Sequence, residues 1–141
     1  MTAQALRGDV AVLVPAAGAG VRLGPGAPKA LRELAGEPLL VHAVRRLSAA
    51  PSVGQIVVAA PAGGVDAVRE MLAAVAPVCV VAGGASRQSS VAAALAAADP
   101  ALRIVLVHDA ARALAPPELI ERVAAAVRDG RIDVCHCRGS E

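Results

Sequence analysis

Val10-Ala-Val-Leu-Val-Pro-Ala-Ala-Gly-Ala-Gly-Val-Arg-Leu-Gly-Pro-Gly-Ala-Pro-Lys29 begins as a strand and ends as a loop with two cations. Val10 to Val14 is a continuous apolar run, the pattern of a strand buried on both faces in a parallel sheet. From Pro15 onward the side chains shrink. Gly and Ala let successive backbone N–H groups approach an anion such as a polyphosphate without collision. Arg22 and Lys29 bracket the Gly/Pro segment and can fold over the phosphates that such a loop holds. A guanidinium grips oxygens in a fork and an ammonium acts as a point charge, which suits a phosphoryl group gaining charge in its transition state. Lys29 is the one lysine in a chain with 14 basic residues. The plain alternative is a Gly/Pro-rich surface connection with no chemistry.

Outward from this stretch, short apolar runs alternate with segments of helical period. Val10 to Val14, Gln55 to Ala59, Val78 to Val81 and Ile104 to Val107 read as strands; Leu39 to Ala49, Val65 to Val75, Gln88 to Ala98 and Pro117 to Arg128 read as helices. The last is the clearest, with prolines before Glu118 and with Leu119, Ile120, Val123 and Val127 on one face. Such alternation predicts an α/β fold, a Rossmann-like open and mostly parallel twisted sheet with helices on both faces. Ligands of these sheets bind outside the carboxyl ends of the strands, which directs attention to the residues after Val14, Val81 and Val107.

Composition narrows the function classes. At 141 residues the chain is the size of one domain, and 56% hydrophobic against 18% charged residues excludes wholesale disorder. Phe, Tyr and Trp are absent, which removes the platforms on which single-stranded nucleic acids stack. A net charge of +2 without a basic run gives no footprint for DNA or RNA, so nucleic acid is not the expected partner. The apolar stretch Met71 to Ala85 is broken by Pro77, Gly83 and Gly84, so no membrane span is expected. Arg7 and the run after it loosely imitate a signal peptide, but Asp9 opens that run and the strand reading uses it better. Three cysteines, Cys79, Cys135 and Cys137, make an odd count that argues against a secreted disulfide framework. A cytoplasmic protein is the expectation.

Two familiar phosphate loops are excluded. The dinucleotide fingerprint fails because Leu23 stands where its third glycine belongs and Ala59-Ala60-Pro61 supplies no acidic residue. The Walker pattern fails because Lys29 lies between Pro28 and Ala30. The loop after the third strand, Gly83-Gly-Ala-Ser-Arg-Gln-Ser-Ser-Val91, taken alone reads first as a tight turn in which Ser86 or Ser89 caps the next helix. After the fourth strand, His108-Asp-Ala-Ala-Arg112 puts the Asp109 carboxylate at a strand's carboxyl end, where it can ligate Mg²⁺ that keeps most of its waters; Arg112 could instead pair with it structurally.

Taken together, Pro15-Ala-Ala-Gly-Ala-Gly-Val-Arg-Leu-Gly, Pro28-Lys-Ala-Leu31, Gly83-Gly-Ala-Ser-Arg-Gln-Ser-Ser-Val91 and Val107-His-Asp-Ala-Ala-Arg112 resemble, in order and spacing, the signature segments of the 2-C-methyl-D-erythritol 4-phosphate cytidylyltransferases. The resemblance runs from about Val10 to Asp129. It implies transfer of CMP from CTP to a polyol phosphate, methylerythritol phosphate, with release of pyrophosphate and a requirement for Mg²⁺. It also implies roles. Arg22 and Lys29 match the basic pair that stabilises the pentacoordinate α-phosphate. Ala16, Ala17, Gly83 and Ser90 fall where the family holds cytosine and ribose, with Gly18 and Gly20 in the same nucleotide loop. Asp109 matches the metal-bound nucleotide position, with Ala110 and Arg112 beside it. No covalent nucleophile is needed for in-line displacement at phosphorus, so His42 and His108 receive no catalytic role.

Two departures stand out. Ala113 replaces the proline that usually follows His-Asp-Ala-Ala-Arg and should loosen that turn. Family members run much longer, and the further part carries the arm of the family's homodimer and most acceptor contacts. The chain is therefore read as an incomplete nucleotidyltransferase domain over residues 1–130 and a non-family tail over 131–141, an out-of-frame or truncated terminus. Cys135-His-Cys137 is too tightly spaced for zinc. Two rival readings stay open: a cytidylyltransferase for another polyol phosphate such as ribitol 5-phosphate, and an inactive nucleotide-binding fragment.

Overall fold

A computed structural model of the chain describes residues 6–18 and 29–130. Gly20, Arg22 and the segment 131–141 lie outside the described residues. The first strand, β1 (Val10–Pro15), is followed by a 3₁₀ turn (Lys29–Leu31), a hairpin of β2 (Glu33–Leu34) and β3 (Glu37–Pro38), and α1 (Leu39–Ser48). Then come β4 (Val53–Ala60), α2 (Val65–Leu72), β5 (Cys79–Ala82), α3 (Arg87–Ala97), β6 (Ile104–Val107) and α4 (Pro117–Arg128). The four long strands form one parallel sheet in the order β5-β4-β1-β6, the expected α/β architecture. The chain winds outward from β1 to β4 to β5, then crosses back to lay β6 on the other side of β1. The direction of winding reverses between β1 and β6, where open α/β sheets leave a crevice.

Alternation within each strand decides which helix covers it. Val10, Val12 and Val14, with Ile56, Val58 and Ala60, pack on Leu40, Val44 and Leu47 of α1, Leu72 of α2 and Ile120 of α4. Leu13, Val57 and Ala59 point to the opposite face and meet Val91 and Ala94 of α3. Burial on both faces is why β1 and the stretch Ile56 to Ala60 of β4 lack polar positions. Among the described residues, no helix is long and apolar enough to cross a membrane.

The structure moves some expected boundaries. The second helix stops at Leu72 rather than Val75, because Val75 N–H bonds the Leu72 carbonyl at 2.9 Å in a tight last turn just before Pro77. The strand expected at Val78 starts at Cys79 and runs to Ala82, and β4 extends the expected Gln55–Ala59 to Val53–Ala60. The hairpin and the 3₁₀ turn were not expected at all.

Candidate functional site

Three loops leave the sheet at one level because each is stitched to a neighbouring strand by its first backbone N–H. Ala16 donates to Ala59 O at 2.8 Å, Gly83 to Ala60 O at 2.8 Å and His108 to Leu13 O at 2.9 Å. Between the loops lies a cleft of about 920 Å³ lined by Ala16, Ala17, Gly18, Lys29, Gly83, Gly84, Arg87, Ser90, Asp109, Ala110 and Arg112. Every expected site residue that falls among the described residues is therefore brought to one cavity. Arg22 and Gly20 lie outside the described residues.

One wall of the cleft is built for close approach. A Cβ on Gly83 would lie 2.5 Å from the Cβ of Ala17 and 2.8 Å from Ser90 Oγ, so the two loops can pack this closely only because the side chain is hydrogen. Ser90 is 2% exposed; its hydroxyl accepts from Gly84 N–H at 3.1 Å and fixes the Gly83-Gly84 turn. Ser86 and Ser89 form a reciprocal capping box at the start of α3, Ser89 N–H donating to Ser86 Oγ at 3.0 Å and Ser86 N–H to Ser89 Oγ at 2.9 Å. The capping read from this loop is thus present, and it coexists with the cleft rather than replacing it.

The opposite wall is charged. Asp109 is the one carboxylate among the described lining residues. Its closest partner is Arg87, whose Nε and Nη2 both donate to Oδ1, at 3.1 and 2.8 Å. Arg112, the partner suggested by sequence, sits farther off at 3.9 Å from Oδ2. Sequence reasoning gave Arg87 no role. It stands inside the quoted loop segment, but only the fold carries the start of α3 over to the end of β6. Burial holds the His108 imidazole below its usual range, against the upward pull of the Arg112 carbonyl and Asp109. Neutral His108, through Nε2, bonds the Arg112 carbonyl at 3.1 Å and braces the turn that also contains the buried Ala113.

Lys29 reaches the rim through the unexpected hairpin. Its carbonyl accepts from Arg32 N–H at 3.3 Å, and Leu39 N–H returns to Arg32 O at 2.8 Å, so the 3₁₀ turn is tied to the start of α1. Two side chains of α1 then grip the hairpin: His42 Nε2 on Leu34 O at 2.7 Å, and the Arg45 fork on both Glu37 oxygens at 2.9 Å. Small residues on one wall, Arg87 and Arg112 beside a single carboxylate and Lys29 elsewhere on the lining suit a planar ring joined to a chain of phosphates. Among the described residues no group of three or more His, Cys, Asp or Glu could cage a metal ion. One carboxylate fits a hard cation that keeps its waters and takes its other ligands from substrate phosphates.

Comparison with known proteins agrees with this geometry. The sequence pattern of the 2-C-methyl-D-erythritol 4-phosphate cytidylyltransferase family matches residues 10–137. A protein of that name from Frankia casuarinae is 58% identical over 121 residues, covering 86% of this chain and 45% of its own length. The chain thus spans about half the length of the curated relatives it matches. Among solved structures, the Thermus thermophilus cytidylyltransferase is 35% identical with a TM-score of 0.61, covering 86% of this chain and 51% of that one. The 4-diphosphocytidyl-2C-methyl-D-erythritol synthase of Anaerococcus prevotii is 25% identical with a TM-score of 0.72, covering 84% and 51%. Agreement in sequence pattern and in fold over most of its residues makes this chain a member of the 2-C-methyl-D-erythritol 4-phosphate cytidylyltransferase family.

Proposed function

We propose that the cleft binds CTP and serves the transfer of CMP to 2-C-methyl-D-erythritol 4-phosphate, with release of pyrophosphate. The observation that carries this reading is the convergence of the three loops on one cavity, lined both by the closely packed Gly83 and Ala17 and by Lys29 and Asp109. The transfer itself is assigned to the family-length protein and nucleotide capture to this stretch. An acceptor phosphate oxygen attacks the α-phosphorus of CTP, the bond to the β-phosphate oxygen breaks, and pyrophosphate leaves in line. Ala16, Ala17, Gly18, Gly83 and Ser90 hold the nucleoside in this scheme, and Gly20 extends the same loop. Lys29, with Arg22, neutralises the charge that builds on the equatorial oxygens, while Ala110 and Arg112 shape the side of the cleft beside Asp109. Mg²⁺, when held by Asp109 and the phosphates, supplies further neutralisation of phosphate charge. The soluble cytoplasm and a homodimeric family-length protein complete the proposal.

Calorimetric melting with Mg²⁺ and no nucleotide, CTP or ATP tests it, since a ligand of the native state raises the midpoint. The expected result is a shift with CTP well above that with ATP; equal or absent shifts refute pyrimidine capture. Pyrophosphate release by the family-length protein with methylerythritol phosphate, against ribitol 5-phosphate, tests the acceptor.

A further inference from the structure

Asp109 is the one carboxylate among the described residues lining the cleft, and its Oδ1 is already taken. Arg87 lays Nε and Nη2 on that single oxygen, a charge-assisted contact made by a side chain from the opposite edge of the loop cluster. The placement of Arg87 is not loose. The capping box of Ser86 and Ser89 fixes the first turn of α3, and Ser90, three residues on, is buried with its hydroxyl on the Gly84 backbone. Two guanidinium N–H groups occupy both acceptor directions of Oδ1, so a divalent cation that binds this oxygen must displace at least one of them. We propose that Arg87 is a positioning residue for Asp109: it holds the carboxylate across the cleft while no nucleotide is bound, and it competes with a divalent cation for Oδ1. Cation capture at Asp109 then depends on phosphate arriving, because the phosphate chain brings new ligands for the cation and a new anionic partner for the released guanidinium. This rests on the CTP reading above.

The test uses the 141-residue chain and Mn²⁺ as the probe, with the electron paramagnetic resonance signal of free Mn²⁺ and the CTP-dependent melting midpoint as readouts. Removing the competing cation by Arg87→Gln should lower the Mn²⁺ concentration for the half-maximal CTP shift by about fivefold, the scale of a good half-exposed ion pair. Arg87→Lys keeps the charge but loses the fork, and should fall between. In an Asp109→Asn background the change at position 87 should make no difference. An unchanged or increased Mn²⁺ requirement in Arg87→Gln overturns the proposal, whereas a purely structural role for Arg87 would lower the midpoint without ligand and leave the Mn²⁺ dependence alone. If the parent chain shows no CTP shift, the CTP reading fails separately. Mn²⁺ titrated without nucleotide then decides: tighter uptake by Arg87→Gln supports competition, and equal uptake refutes it.

Discussion

Gly83 sits where the loop after β5 leaves the sheet, with its N–H on Ala60 O and with Ala17 and Ser90 closing over the space a side chain would need. Neither neighbour can yield easily. Ala17 lies on the loop held at Ala16, and the Ser90 hydroxyl is committed to Gly84. Gly83→Ala should therefore cost about 1–3 kcal/mol, the usual range for overpacking, and should remove most of the CTP-dependent rise in melting midpoint. An alanine variant with unchanged stability and an unchanged CTP shift would show that the two loops do not meet this closely. Asp109 was legible in the sequence because a strand's carboxyl end is a place of known consequence and an acid there has few uses, whereas Gly83 stood out only through the family resemblance, its loop alone reading as a turn and helix cap. Arg87 was not legible, since what matters is a contact across 22 residues of chain that no local period encodes.

At the scale of elements, the hairpin of β2 and β3 is a two-residue turn in which Ala35 and Gly36 have φ of 53° and 81°. Both central residues in the left-handed region is the arrangement that matches strand twist, and Asn-Gly is its usual sequence. Ala35 lacks the polar side chain that makes such a φ tolerable, so its presence costs about 1 kcal/mol. That is also why the hairpin escapes a reading by pattern: Ala-Gly signals no turn, and two-residue strands show no alternation. Ala35→Asn should stabilise the chain by about 0.5–1 kcal/mol, raising the calorimetric midpoint by roughly 2–6 °C. A lowered midpoint would mean that the turn does not hold this conformation. The helices were read more faithfully in proportion to their punctuation. Pro117 fixed the start of α4, whereas the alanines after Leu72 carry no signal for where α2 should stop.

Across the whole molecule, the sheet has its cleft at one end and a latch at the other. Asp9, just before β1, holds Arg128 at the end of α4 through both carboxylate oxygens, and Arg128 also donates to Ser52 Oγ at 2.9 Å. Glu121 accepts from the Ser52 N–H at 2.7 Å and from its hydroxyl, so the strand that starts the sheet, the turn into β4 and the last helix share one polar knot. Apolar periodicity foretold that α4 would pack on the sheet, but these pairings join residues 69 to 119 apart and depend on the register the fold sets. The hydrogen bond from Arg128 holds the Asp9 carboxyl below its usual range, outweighing the opposing effect of burial. An acid whose folded value is depressed contributes stability that is fully present above its unfolded value, near pH 4, and lost as the pH falls through the folded one. The parent should therefore melt higher than Asp9→Asn at pH 7, by a degree or two for so exposed a pair, roughly the scale of surface ion pairs. The gap should close as the pH is lowered from about 4 toward 2. High salt should narrow it at pH 7 as well, because the pair is open to solvent. A gap that persists unchanged at pH 2 would assign the latch to the geometry of its hydrogen bonds rather than to the charge on Asp9.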